Sequence, residues 1–137
     1  MKKLKIIFTF FSIFIVFSCT TTSTGTSDLN PEFKIGKNGF EKRLKKGFDF
    51  EKLNIGTYYS NKNGISQENG VNLTFTISDF SKYSNSDFFK ISKHIKKELQ
   101  EYLLNLNNYD YVKIIYNRVY KEDGLEKTSS VKIKLKL

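Results

Sequence analysis

Carboxylates come first among the residues able to do chemistry. Asp79, Asp87, Asp110 and Asp123 are those from which a catalytic pair could be drawn. One carboxyl would donate a proton while the other attacks or activates water, as hydrolysis of a polysaccharide or peptide requires. Their spacing marks no two of them as partners. Glu98 and Glu101 are expected to pair with neighbouring lysines along a helix instead. His94 is the sole histidine and stands between Lys93 and Ile95, with no second histidine and no nearby cysteine to share a metal. As a base it would need a nucleophile and an orienting partner, and neither is visible. The phosphate-cradling Gly-x-x-x-x-Gly-Lys, the Gly-x-Ser-x-Gly turn and the His-Glu-x-x-His zinc motif do not occur. No catalytic residue is assigned, and no metal or cofactor is expected.

Charge is what remains. The chain carries a formal net charge of +9. Lys132, Lys134 and Lys136 alternate with apolar residues and so share one face of a C-terminal strand, and Lys113 joins them if the strand register allows. Lys90, Lys93 and Lys97 form a second row along a helix. Near an anionic membrane a lysine contributes about 1 kcal/mol, so either row could hold a domain to head groups. The same lysines would also keep a sheet edge from pairing with strangers and a helix in solution.

Cys19 is the single cysteine, and its setting is informative. Lys2, Lys3 and Lys5 precede an apolar run over residues 6–17, and the segment closes on Ile15-Val16-Phe17-Ser18-Cys19. This resembles the lipobox signal of bacterial lipoproteins, with Val16 and Ser18 in the branched-aliphatic and small-residue positions and Phe17 bulkier than the family usually carries between them. The resemblance implies that residues 1–18 are a removed signal peptide and that Cys19, acylated on its thiol, becomes the first residue of the mature chain. It implies a cell-envelope address, lipid-anchored and outside the cytoplasm. From residue 4 to residue 17 a helix would reach about 21 Å, against roughly 30 Å of hydrocarbon, which is short for a permanent span. An ordinary signal peptide cleaved elsewhere, or an uncleaved short anchor, is the alternative. One fatty chain holds a protein to a membrane only marginally, at about 0.8 kcal/mol per methylene, whereas two or three hold it firmly. Nucleic acid would fit the charge but not the compartment, so the partners expected are the membrane, through Cys19, and an envelope protein.

Removing residues 1–18 takes away three lysines and no acid, leaving +6. Without a second cysteine no disulfide forms within one chain, so the fold must rest on its core, to which thirteen Phe and eight Tyr bring aromatic bulk. Residues 19–32 are small and polar and read as a flexible tether, giving a stand-off of roughly 20 Å. Residues 33–137 read as one α+β domain.

Within that domain, Phe40, Leu44 and Phe48 suggest a short helix capped by Gly47. Ile55, Tyr58 and Tyr59 lead into Asn63-Gly64, a hairpin signal, and a second signal at Asn69-Gly70 suggests a longer loop. Residues 71–80 alternate as a strand with one apolar face. Ser84 or Ser86 caps a helix of some 19 or 20 residues whose apolar stripe runs Phe88, Ile91, Ile95, Leu99, Tyr102, Leu103 and Leu106. Residues 110–121 form a strand apolar on both faces, favouring a central position, and Asp123-Gly124 turns into a terminal strand over residues 131–137. The expected architecture is a four-stranded, mainly antiparallel sheet with one long helix on one face, in the order ββαββ. Together these features predict a small membrane-anchored envelope lipoprotein that is an interaction or accessory module and not an enzyme. The alternative is an envelope hydrolase using a carboxylate pair.

Overall fold

Alternation of Val71, Leu73 and Phe75 with polar residues builds a strand whose one side is sealed, each of the three being 0% exposed. That strand, β3 (Ser66–Thr76), lies in the middle of the fold. The computed structural model describes residues 22–25, 29–62, 64 and 66–137. In chain order the other main elements are β1 (Thr22–Gly25), α1 (Gly36–Leu44), β2 (Lys52–Lys62), α2 (Asn85–Tyr102), β4 (Tyr111–Glu122) and β5 (Leu125–Lys136). The strands form one mixed sheet in the order β1-β2-β3-β4-β5. All neighbours are antiparallel except β3 and β4, which run parallel and are joined through α2.

The α+β class stands and the short helix suggested by Phe40 and Leu44 is present as α1, but the sheet has five strands and not four. The fifth strand comes from the segment read as a tether. Thr22–Gly25 pairs with Tyr59–Lys62 at the sheet edge. A backbone edge offers hydrogen bonds whatever the side chains are, which is why a polar Thr-Ser-Thr-Gly run gave no hydrophobic warning. Further along, Leu29 packs against the core, the Asn105 side-chain Nδ2 donates to the Asn30 carbonyl at 2.8 Å, and the Leu104 backbone N–H donates to the Glu32 carbonyl at 2.8 Å. Much of the expected spacer is therefore bound to the fold.

The core lies between the sheet and α2. Val71, Leu73 and Phe75 stand in register with Val112, Ile114 and Tyr116, and these with Leu135, Ile133 and Val131. Phe88, Ile95 and Leu99 of α2 close over them. Tyr116 Oη lies 2.7 Å from Ser92 Oγ and donates to the Phe88 carbonyl at 3.3 Å, so the one buried hydroxyl pair in this layer is satisfied. Ser84 caps α2: its Oγ accepts from the Asp87 amide at 3.2 Å while Asp87 accepts from the Ser84 amide at 3.0 Å.

Three local expectations change. The short helix ends at Leu44, and Gly47 lies in the turn beyond it, where an added Cβ would meet His94 Nε2 at 3.2 Å; Gly47 permits close approach of α2 and is not the cap. Asn69-Gly70 is no turn, since both residues lie inside β3. The C-terminal strand starts at Leu125, because Asp123 (φ 55°) and Gly124 (φ 76°) make a two-residue turn with both central residues in the left-handed region.

Candidate functional site

Alternation along a strand sends every second residue to the face away from α2. On that face the register aligns Tyr58, Gly70, Tyr111 and Lys136 in one row. Gly56, Asn72, Lys113 and Lys134 make the next, and Asn54, Thr74, Ile115 and Lys132 the third. The register therefore brings Lys113 directly opposite Lys134, joining the row foreseen along β5. No described helix covers this face.

The face holds an aromatic layer beneath its charges. The Tyr58 and Tyr111 rings meet edge-on with centroids 6.5 Å apart. Lys134 Nζ stands 3.8 Å above the Tyr111 ring, and Lys113 Nζ is 5.1 Å from the Tyr58 ring centre, both favourable placements of a cation on a π face. Lys134 also reaches Glu68 at 2.8 Å. Two open depressions result. One of about 430 Å³ is lined by Glu68, Asp110, Tyr111, Lys134 and Lys136. The other, about 260 Å³, is bordered by Tyr58, Ser60, Tyr111, Lys113, Lys132 and Lys134.

Tyr111 is the unusual member. It is 3% exposed, although it stands outside the core cluster on the face that α2 leaves bare. Its burial depends on Gly70, over which the ring lies so closely that a Cβ there would sit 2.2 Å from Cε2. Its hydroxyl is buried and has no hydrogen-bond partner among the described residues. Burial, with lesser effects from Tyr58, Glu68 and Asp110, pushes this phenol up to about 12.

Of the other candidates, Asp110 lines the first of the two depressions and the rest fall elsewhere. Asp79 accepts from the Ser81 amide at 2.9 Å, Asp87 belongs to the α2 cap, Asp110 accepts from the Asn69 amide at 2.8 Å, and Asp123 is in the β4–β5 turn. The Ser81 and Ser84 hydrogen bonds hold the Asp79 and Asp87 carboxyls below their usual range, opposite to the direction a general acid needs. Lys90, Lys93 and Lys97 are exposed on α2, Lys93 lying 4.7 Å from the Phe89 ring centre. Glu98 does not pair with a lysine. It is 7% exposed and is gripped by Arg43 of α1 through Nε and, at 3.4 Å, Nη2, with His94 Nε2 at 3.8 Å. One turn before Glu98 the sequence offers His94 and no lysine, so the partner had to come from another element. Among the described residues no group of three or more His, Cys, Asp or Glu is placed to hold a metal, and no helix is long and apolar enough to cross a membrane. Cys19 lies outside the described residues.

Tyr58, Tyr111, Gly70, Asn72 and Glu68 are the residues of this face that sequence reasoning did not single out. Part of their signal was present in β4, where Tyr111, Ile115 and Val119 put aromatic and apolar side chains on the side away from the core. Compared with family models, curated proteins and solved structures, the chain matches none, so its function is argued from its own face.

Proposed function

We propose that this chain is a lipid-anchored envelope lipoprotein, held by acylated Cys19, that works as a non-enzymatic binding module through the open face of its sheet. The observation that carries the reading is the gathering of Lys113, Lys132, Lys134 and Lys136 over Tyr58 and Tyr111 on the one sheet face without a helix. Cations set on aromatic rings offer charge and apolar area together, a combination suited to an anionic surface that also has apolar groups. Asp79 and Asp87 serve helix caps, Asp123 sits in the β4–β5 turn and Asp110 accepts from the Asn69 amide, so each has a structural role and none is singled out as an acid or base.

Occupancy of this face in the native envelope is the test. A water-soluble amine reagent is applied to intact envelopes and to protein purified from them in detergent, and labelling is read residue by residue by mass spectrometry. Lys132, Lys134 and Lys136 are expected to be several-fold less reactive in envelopes than after purification, while Lys90, Lys93 and Lys97 react alike in both. Equal reactivity of the sheet lysines in both states removes the binding-face reading.

A further inference from the structure

We infer that the occupant of this open face is the anionic head-group layer of the very membrane that carries the lipid anchor. The inference rests on the lipid-anchored reading above and names the ligand of that same face. The anchor's reach is short. A dozen free residues would let a domain wander, but Thr22 is already paired with Lys62 in the sheet. Cys19 is three residues before Thr22, so it lies within about 11 Å of the first strand even if fully extended. Strand β1 is one edge of the sheet and β5 the other, four strand spacings or about 19 Å away. A leash this short, attached to one edge, keeps the whole sheet beside the bilayer, and laying the open face down satisfies it.

Charge favours the same face. Lys52 falls on the same face as Lys113, Lys132, Lys134 and Lys136, in register with Thr76, Asn117 and Ser130. Among the described residues, Glu68 is the carboxylate that bonds to this set, and it engages Lys134. The remaining lysines make no ion pair of their own among those residues, so their charge is available to phosphate groups. The aromatic chemistry fits as well. Tyr58 and Tyr111 put amphipathic rings among the lysines, the side-chain type enriched where head groups meet hydrocarbon. Withdrawal of the Lys134 ammonium toward a lipid phosphate would uncover the Tyr111 ring beneath it, and with it a hydroxyl that has no partner among the described residues. A wholly acidic protein surface would use the lysines and leave that layer idle.

The mature lipidated protein is reconstituted into vesicles of phosphatidylcholine alone, or with phosphatidylglycerol raised to about one third of the lipid, and its lysines are labelled as above. On the anionic vesicles, labelling at Lys132, Lys134 and Lys136 is expected to fall about tenfold or more relative to the neutral ones. Salt at about 0.5 M restores it, and Lys90, Lys93 and Lys97 do not change. A Lys132→Glu/Lys134→Glu/Lys136→Glu variant, checked for native circular dichroism, loses the docked state by on the order of 100-fold, at about fivefold per lysine. Equal labelling on both vesicles, or protection of the helix lysines in place of the sheet lysines, overturns the inference. Sheet lysines protected in native envelopes yet free on anionic vesicles identify a protein occupant, which overturns the lipid inference and leaves the binding-face reading standing. Absence of acyl mass removes the anchor, and labelling of the same protein mixed with anionic vesicles still decides the face by the criterion above.

Discussion

Replacing Gly70 by alanine should destabilise the protein, against the usual sign of that substitution in a strand. Alanine is ordinarily better there, by about 0.5–1 kcal/mol, because glycine gives up more chain freedom on folding. Here the new Cβ would meet Tyr111 Cε2 at 2.2 Å and Cζ at 2.4 Å. Carbon atoms rest at roughly 3.5–4.0 Å, so the ring must retreat by more than about an ångström. The way out lies through Lys134 and into water. A tyrosine buries about 150–250 Å², so exposing half of the ring forfeits on the order of 2–3 kcal/mol at about 25 cal/mol/Å². The net expectation is a loss of about 1–2 kcal/mol, read from urea unfolding at pH 7. A second readout is independent of stability: the Tyr111 phenol, held at about 12 by burial, should titrate lower once the ring is hydrated, as followed by tyrosinate absorbance against a Tyr111→Phe control. In a Tyr111→Ala background the substitution should recover its ordinary, slightly favourable sign. A Gly70→Ala protein as stable as the parent, with the Tyr111 titration unmoved, would show that the ring does not depend on the bare backbone beneath it.

Removal of the unpartnered Tyr111 hydroxyl by Tyr111→Phe should stabilise the protein by about 1 kcal/mol at pH 7, and a loss of that size in urea melts would show that the hydroxyl has a partner. The same phenol makes stability pH-dependent: raised when folded, its neutral form contributes fully below about pH 10 and the contribution is lost as pH climbs toward 12, so the parent should weaken relative to Tyr111→Phe across that window. Arg43→Ala strands the buried Glu98 carboxylate and should lower the melting temperature more than Glu98→Gln does, and thermal melts with equal losses would contradict the assignment of the desolvated charge. Ser84→Ala removes the α2 cap and should cost about 1 kcal/mol. Asp87 is lowered by that same Ser84, so its stabilisation is present above the ordinary aspartate value and fades as pH falls through the folded one; acid titration of the variant should show this dependence reduced.

Where one side of an element faced the core, the sequence was readable. Val71, Leu73 and Phe75 and the stripe from Phe88 to Leu99 carry their periods plainly because a single burial surface decides each residue. Ser84 was legible because Asp87 follows at the capping-box spacing. That β4 lies inside the sheet, between β3 and β5, could be read from its two apolar faces, although the central strand is β3. The edge strand Thr22–Gly25 left no trace, since backbone pairing requires no side-chain pattern. Gly70 misled for a physical reason: after an asparagine it reads as a turn residue, whereas its lack of a Cβ serves the Tyr111 ring. The lysines of the open face were visible one strand at a time. The β4–β5 hairpin register gathers the lysines around Tyr111, whereas bringing Tyr58 and Gly70 to them depended on the parallel β3–β4 register, which no local spacing encodes. Glu98 was misread because its partner, Arg43, lies 55 residues away.

The envelope address and the short leash both depend on acylation of Cys19, and the most direct measurement is intact mass with membrane fractionation of the expressed protein beside a Cys19→Ala variant. The account predicts a parent chain shortened by residues 1–18, bearing acyl mass and pelleting with membranes after high-salt washing, and a variant without acyl mass. A parent without acyl mass, or a variant that retains the same mass increment and fractionation, would contradict it.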